Sequence, residues 1–235
     1  MDVKLGQFSF TLSSCSTQFT GLIFLDAARV TTTDGLFILS HSKCQNSNLQ
    51  FFETKSVVFS NVIFTNMTSH MNSSSSILVR GSSLVRIANT TFYKNSVNGL
   101  QSLIHVDSVE SVDFSNSLIE DNFGGDSEAG NFISIINSDQ VQMRNVIIRR
   151  NTNLLILIRG LPTPSGGRQN LTVHTMRISR SVNTTLRMEN LNVWMSDVLI
   201  RHDTDENRAI VQLHQCEADF NVNFYYFEFT FCGYF

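Results

Sequence analysis

Proline occurs only twice in the 235 residues, at Pro162 and Pro164, charged residues make up only 16%, and no apolar run is long. Each shortage excludes something. The longest apolar stretch, within "NLLILIRG", falls far short of the roughly 20 residues a membrane-spanning helix requires, so no helical transmembrane segment is expected. The N-terminal "MDVKLGQFSF" lacks the charged segment and apolar core of about 7 to 15 residues that mark a secretory leader. A leader is therefore read as absent or removed. The four cysteines show no CxxC or His-rich ligand spacing, so neither a metal nor a cofactor is expected.

Hydrophobic residues make up 42% of the chain, enough for a real core, and the composition is globular rather than disordered. Phe is abundant at 19 residues, and Ser, Thr and Asn crowd every segment. Net charge is only -3, which gives no ground for a nucleic-acid partner, but its distribution is uneven. Eight acidic residues and no Lys or Arg lie between Asn95 and Met143, and eight Arg and no acid between Arg144 and Arg187. Such runs ordinarily make solvated faces.

Three stretches share one phrase: "LVRIANTTFYKN", "SVDFSNSLIEDN" and "VQMRNVIIRRNT". Anchoring it on Asn61, Asn89, Asn116 and Asn145 gives steps of 28, 27 and 29 residues, and a fixed period of that size marks a solenoid. Thr175 and Asp197 carry the anchor forward in "LTVHTMRIS" and "LNVWMSDVLIRHD", and His41 and Leu12 carry it backward. A second apolar stretch lies between anchors, as in "SSILVRG", "QSLIHVDS" and "NFISIINS". Alternation is of period two, and no window holds helical spacing for the 11 or more residues a helix needs. The leucine-rich spacing is also missing.

About 27 residues at roughly 3.3 Å each give a loop of some 80 to 90 Å, enough for one rung of short strands around an apolar lumen. The expected fold is all-β: a single right-handed parallel β-helix over residues 1–235, of about eight irregular rungs, forming part of a longer protein or one unit of a larger assembly. Asn61, Asn89, Asn116, Asn145 and Asp197 are expected to form a polar ladder at a bend, because Asn tolerates left-handed backbone and can bond to its neighbours in the stack. Cys15, Cys44, Phe64, Phe92, Ile119, Ile148, Ile178 and Ile200, three residues on, are expected to form an interior column.

The F-x-x-N element at Phe92 to Asn95, with Ile119 to Asn122 and Ile148 to Asn151 as variants, resembles that of the short-repeat β-helices in polymorphic membrane protein passengers and protist surface proteins. The companion G-G-A-I element of those proteins is not matched. What the resemblance implies is surface display and adhesion.

Candidate chemistry follows from these columns. Cys15 and Cys44, one rung apart, would lie about 4.8 Å from each other, within disulfide range, or remain buried thiols; Cys216 and Cys232 are a second candidate pair. Five N-x-S/T sequons occur, at Asn66, Asn72, Asn89, Asn170 and Asn183. All but Asn89 fall at expected corners or loops and are glycosylation candidates; Asn89 lies in the anchor column and is expected to resist modification. Polysaccharide-cleaving β-helices need carboxylates on adjacent rungs, whereas the strand-end position here reads Asp26, Gly81, Asp107, Asn137 and Gly160. His105, His174 and His214 are scattered. The chain is read as non-enzymatic.

Arg149, Arg150, Arg180 and Arg201 are expected to form a basic stripe fit for an anionic glycan or an acidic protein surface. Phe224, Tyr225, Phe227, Phe229 and Phe231 are expected to form a stacking end for other subunits, including copies of the chain itself. The functional expectation is a structural or adhesive module, secreted or on the cell surface. Two alternatives stand beside it: a polysaccharide-binding or polysaccharide-cleaving β-helix, and a ciliary or cytoskeletal scaffold.

Overall fold

The computed structural model describes the backbone of short strands from Val3 to Gln45 and of residues 48–69, 75–97, 102–124, 131–161, 169–201, 210–224 and 229–232. Side chains are described for 49–68, 75–97, 102–124, 131–161, 169–200 and 211–219. Its strands form three sheets, of 15, 10 and 3 strands, and consecutive turns pair in parallel. The chain is a parallel β-solenoid.

One turn shows how the sequence builds a rung. Ser56–Ser60 forms the first face, with alternate residues Val57 and Phe59 fully buried. Asn61 then takes φ 56°, and this left-handed step swings the chain into the second face, Ile63–Thr65, which buries Phe64. A second left-handed residue, Asn66, leads to Thr68–Ser69 of the three-stranded sheet. The third face is Ile77–Arg80, and Gly81 at φ 67° closes the rung before Leu84–Ala88 begins the next. Period two within each strand separates lumen from exterior, and single left-handed residues make the corners.

The corner after the first face is held by Asn61, Asn89, Asn116, Asn145, Thr175 and Asp197, with φ between 49° and 56°. These are the anchors of the repeat, but the column faces outward: Asn61, Asn89, Asn116, Asn145 and Asp197 are all exposed. One amide link joins successive corners, Asn145 Nδ2 donating to Asn116 Oδ1 at 2.9 Å. Asn is used here chiefly because it adopts left-handed backbone at little cost.

The lumen is a set of apolar columns. Phe64, Phe92, Ile119, Ile148, Ile178 and Ile200 occupy successive register positions on the second face and are at most 2% exposed. Phe64 stacks on Phe92 with centroids 5.1 Å apart, and Phe92 on Phe114 at 5.9 Å. Phe59 meets Phe64 edge-on at 5.3 Å, so aromatic contacts run both around and along the lumen.

The first turns depart from the expected spacing. Register pairs Ser16 with Leu36 and Leu36 with Ser56, a step of about 20 residues, whereas Ser56 pairs with Leu84 and Leu84 with Ser111. The short turns pass from Ile23–Asp26 to Arg29–Thr33 across two residues. The longer ones insert the three-stranded sheet and a loop at the same point. Leu12 consequently lies within a strand, opposite Thr32, rather than at a corner. Shorter turns also fit more strands into the same length: the third face stacks 10, against the eight rungs expected.

Candidate functional site

The outward faces carry charged groups that pair from rung to rung. Asp113 on the first face is held between two arginines: Arg86 Nε lies 3.4 Å away on the preceding rung, and Arg144 Nη2 donates to both carboxylate oxygens at 3.1 Å from the following one. Glu120 is bound by its register partner Arg149 and by Arg150 Nη2 at 2.6 Å. Asp121 accepts from Arg150 Nε at 2.8 Å, a bond that holds its carboxyl below the usual carboxylate range.

The third face repeats the device. Asp107 accepts from Arg80 Nε at 3.0 Å and from Asn137 Nδ2 at 3.1 Å, and so joins three rungs. Glu189 pairs with Arg159 and Arg187; burial favours its neutral form, but the two arginines outweigh burial and hold its pKa below normal. His105, beside this network, has its pKa lowered by burial, which outweighs the opposing pull of Asp107. It is neutral at physiological pH.

The acidic run and the basic run are thus largely one rung apart, and register brings them together. This corrects the basic stripe: Arg149 and Arg150 are engaged by Glu120 and Asp121 within the chain. Arg149 and Arg201 share a column with Ser179 between them, Arg180 makes the next corner after that of Arg150, and the Arg201 side chain lies outside the described residues. The strand-end column is corrected too. Arg80, Asp107, Ile136, Arg159 and Glu189 are in register, Gly81, Asn137 and Gly160 lie one residue further on, and Asp26 belongs to another sheet.

The cysteines are not brought together as expected. Cys44 lies in register between Leu25 and Phe64, and Leu25 in turn faces Leu5, so the neighbours of Cys44 in its column are not cysteines; Cys15 lies outside the described residues. Cys216 donates its thiol to the carbonyls of Met188 and His214 at 3.4 Å each, and Cys232 lies opposite His214 with its side chain outside the described residues. Among the described residues no cluster of His, Cys, Asp and Glu could hold a metal ion, and no helix is long and apolar enough to cross a membrane.

The sequons separate by position. Asn66 and Asn183 are exposed at left-handed corners, and Asn89 is equally exposed, which removes the reason for setting it apart. Asn170 is not in a loop but in the strand Gln169–Ser179, and Asn72 lies outside the described residues. Of the expected stacking end, Phe224, Phe229 and Phe231 lie on strands, opposite Ile200, Val211 and Leu213; Tyr225 and Phe227 lie outside the described residues.

Two features escaped the reading of the sequence. The first is a buried amide ladder, Asn95, Asn122 and Asn151, each at most 2% exposed. The Oδ1 of Asn122 accepts from both the backbone N and the Nδ2 of Asn95, while its own Nδ2 donates to Phe92 O at 3.0 Å and to Asn151 Oδ1 at 3.0 Å. The signal was the second Asn of each phrase.

The other feature is an open groove of ≈ 600 Å³ on the first face, lined by Gln140, Gln142, Asn170, Thr172, Trp194 and Asp219 among others. Trp194 is 65% exposed on the strand Leu191–Arg201. Its signal was alternation: Asn192, Trp194 and Ser196 are the outward set of a strand whose Val193 and Met195 are buried.

The chain matches no family model, no curated protein and no solved structure.

Proposed function

We propose that the chain is a non-enzymatic structural and adhesive module of an extracellular or cell-surface assembly. One observation carries the reading: among the described residues the least exposed outward carboxylates, those of Asp107, Asp113, Glu120 and Glu189, are each held by arginine, mostly from an adjacent rung. Paired in this way, they serve cohesion of the stack and are poorly disposed to act as a proton donor and acceptor flanking a glycosidic bond. A stiff solenoid with a wide polar surface suits display or attachment. The F-x-x-N likeness to polymorphic membrane protein repeats supports the same location, and so do sequons at exposed corners.

Two measurements test the proposal. Incubation with a panel of neutral and acidic polysaccharides is expected to release neither reducing ends nor unsaturated uronates; sustained release would make the chain an enzyme. Mass analysis of peptides from the native source is expected to find hexose on Asn66 or Asn183. Bare sequons throughout would favour the ciliary or cytoskeletal scaffold instead.

A further inference from the structure

The groove on the first face has a composition that the stack itself does not require. Register aligns its outward residues in two rows along the solenoid: Gln140, Asn170, Asn192 and Glu217 in one, Gln142, Thr172, Trp194 and Asp219 in the other. Four strands at about 4.8 Å give each row a length of some 14 Å. The rows expose amide and hydroxyl groups, which both donate and accept hydrogen bonds, and one broad aromatic face. Asn192 Nδ2 donates to Asn170 Oδ1 at 3.2 Å, so the two amides are fixed relative to each other. Beneath them Val141, Leu171 and Val193 are at most 3% exposed, and Ala218 on the fourth strand is exposed but small, so the apolar surface of the groove is concentrated in Trp194.

A tryptophan 65% exposed on a regular strand leaves a large apolar area in water. Exposed aromatic surface rimmed by polar groups marks an interaction site. The charge of the rim selects among ligands. Glu217 and Asp219 at one end disfavour anionic polymers and nucleic acid, and Arg144, two residues beyond Gln142 on the same strand, is bonded to Asp113. A protein partner of ordinary affinity would need a cluster of anchors rather than one. The chemistry that fits is a chain of uncharged rings with an apolar face and vicinal hydroxyls at the edge.

We propose that this groove binds a neutral polysaccharide running along the solenoid axis, with one sugar ring stacked on Trp194 and hydroxyls bonded by Gln142, Asn170, Thr172 and Asn192. The proposal rests on the reading of the chain as an adhesive module and names its ligand. Glu217 and Asp219 are both exposed to solvent, without the apolar enclosure that equips a carboxyl as a general acid, so binding occurs without cleavage.

Trp194 is the single tryptophan of the chain, and its fluorescence therefore reports on this groove alone. The intact chain is titrated with oligosaccharides of neutral β-glucan, xylan, mannan and chitin, with heparin as the anionic control. At least one neutral series is expected to shift and saturate the emission, with an affinity that about 0.5 M salt leaves unchanged. Calorimetry on Trp194→Ala is expected to show at least a tenfold loss of affinity, and Trp194→Phe a partial loss, with unaltered circular dichroism in both. A response to heparin alone that salt abolishes, equal binding by Trp194→Ala, or silence across the neutral panel overturns the proposal. So does a glycan attached to Asn170 in the native protein, because it would fill the groove. None of these results releases sugar products, and they therefore leave the non-enzymatic module standing with a different ligand.

Discussion

At the residue scale, asparagine does two different things in this chain, and sequence proximity hides the difference. Asn116 turns a corner with its side chain in solvent, whereas Asn122, six residues on, is buried and bonds to the rungs on both sides. Replacing Asn122 with Leu strands the backbone N–H of Asn95 and the carbonyl of Phe92 inside the lumen wall. At about 1 to 3 kcal/mol for each buried unpaired group, the expected loss is roughly 3 to 5 kcal/mol. Asn116→Leu loses only an exposed amide contact and forces Leu into left-handed backbone, for about 1 to 2 kcal/mol, and Asn116→Gly should be close to neutral. Ile119→Asp places a carboxylate in a fully buried column and should cost several kcal/mol. Urea unfolding of the four variants checks the order, and an Asn116→Leu that is more harmful than Asn122→Leu would sink the ladder assignment.

At the scale of the strand, charged columns act as cross-rung fasteners whose strength depends on pH. Glu189 is largely buried and its carboxyl is depressed below the ordinary value of 4.5 by Arg159 and Arg187 despite the opposing effect of burial. A group depressed in the folded state binds its proton more readily when unfolded, so its contribution is complete above pH 4.5 and is lost as pH falls through the lower folded value. Melting temperature should therefore fall on acidification below pH 4.5, and Glu189→Gln should be less stable at pH 7 yet lose less on acidification. Parallel slopes for the two proteins in thermal scans would show that Glu189 does not drive the acid limb. Much of this scale could be read in advance. The 27 to 29 residue spacing of the Asn corners and the buried column from Phe64 to Ile200 both follow from side chains whose type the geometry dictates. The 20-residue turns were not legible, because short rungs without an inserted loop still alternate apolar and polar residues, and any register then looks plausible on sequence alone. The pairing of Glu120 with Arg149 follows the same 29-residue step as Asn116 to Asn145, but runs of one sign ordinarily mark separate solvated faces and hid it; the groove stayed hidden because the outward residues of its strands line up only once Gln142, Thr172 and Trp194 are in register.

At the scale of the whole molecule, a solenoid is stable as a sum of rungs and their interfaces, so its weakest point is an uncovered end. On the last described strands the backbone register pairs Ile200 with Phe224, Val211 with Phe229 and Leu213 with Phe231. Ile200, Val211 and Leu213 are at most 2% exposed, so in this chain the final aromatic positions are partners of buried residues. That arrangement reverses the sign of a deletion experiment. If the aromatic segment chiefly offers a stacking surface to another copy, removing residues 220–235 abolishes association. If it covers the preceding rung, the same deletion uncovers apolar columns and the open edges of the strands Leu191–Arg201 and Ile210–His214, both templates for pairing. We expect the second outcome: in sedimentation velocity at high micromolar protein the shortened chain should self-associate more than the 235-residue chain. The association should persist at about 0.5 M salt, because apolar contact and backbone pairing are little screened. A deletion that leaves a salt-independent monomer would show that these strands neither cover the lumen nor recruit a neighbour, and a loss of association would return the end to its role as a stacking surface.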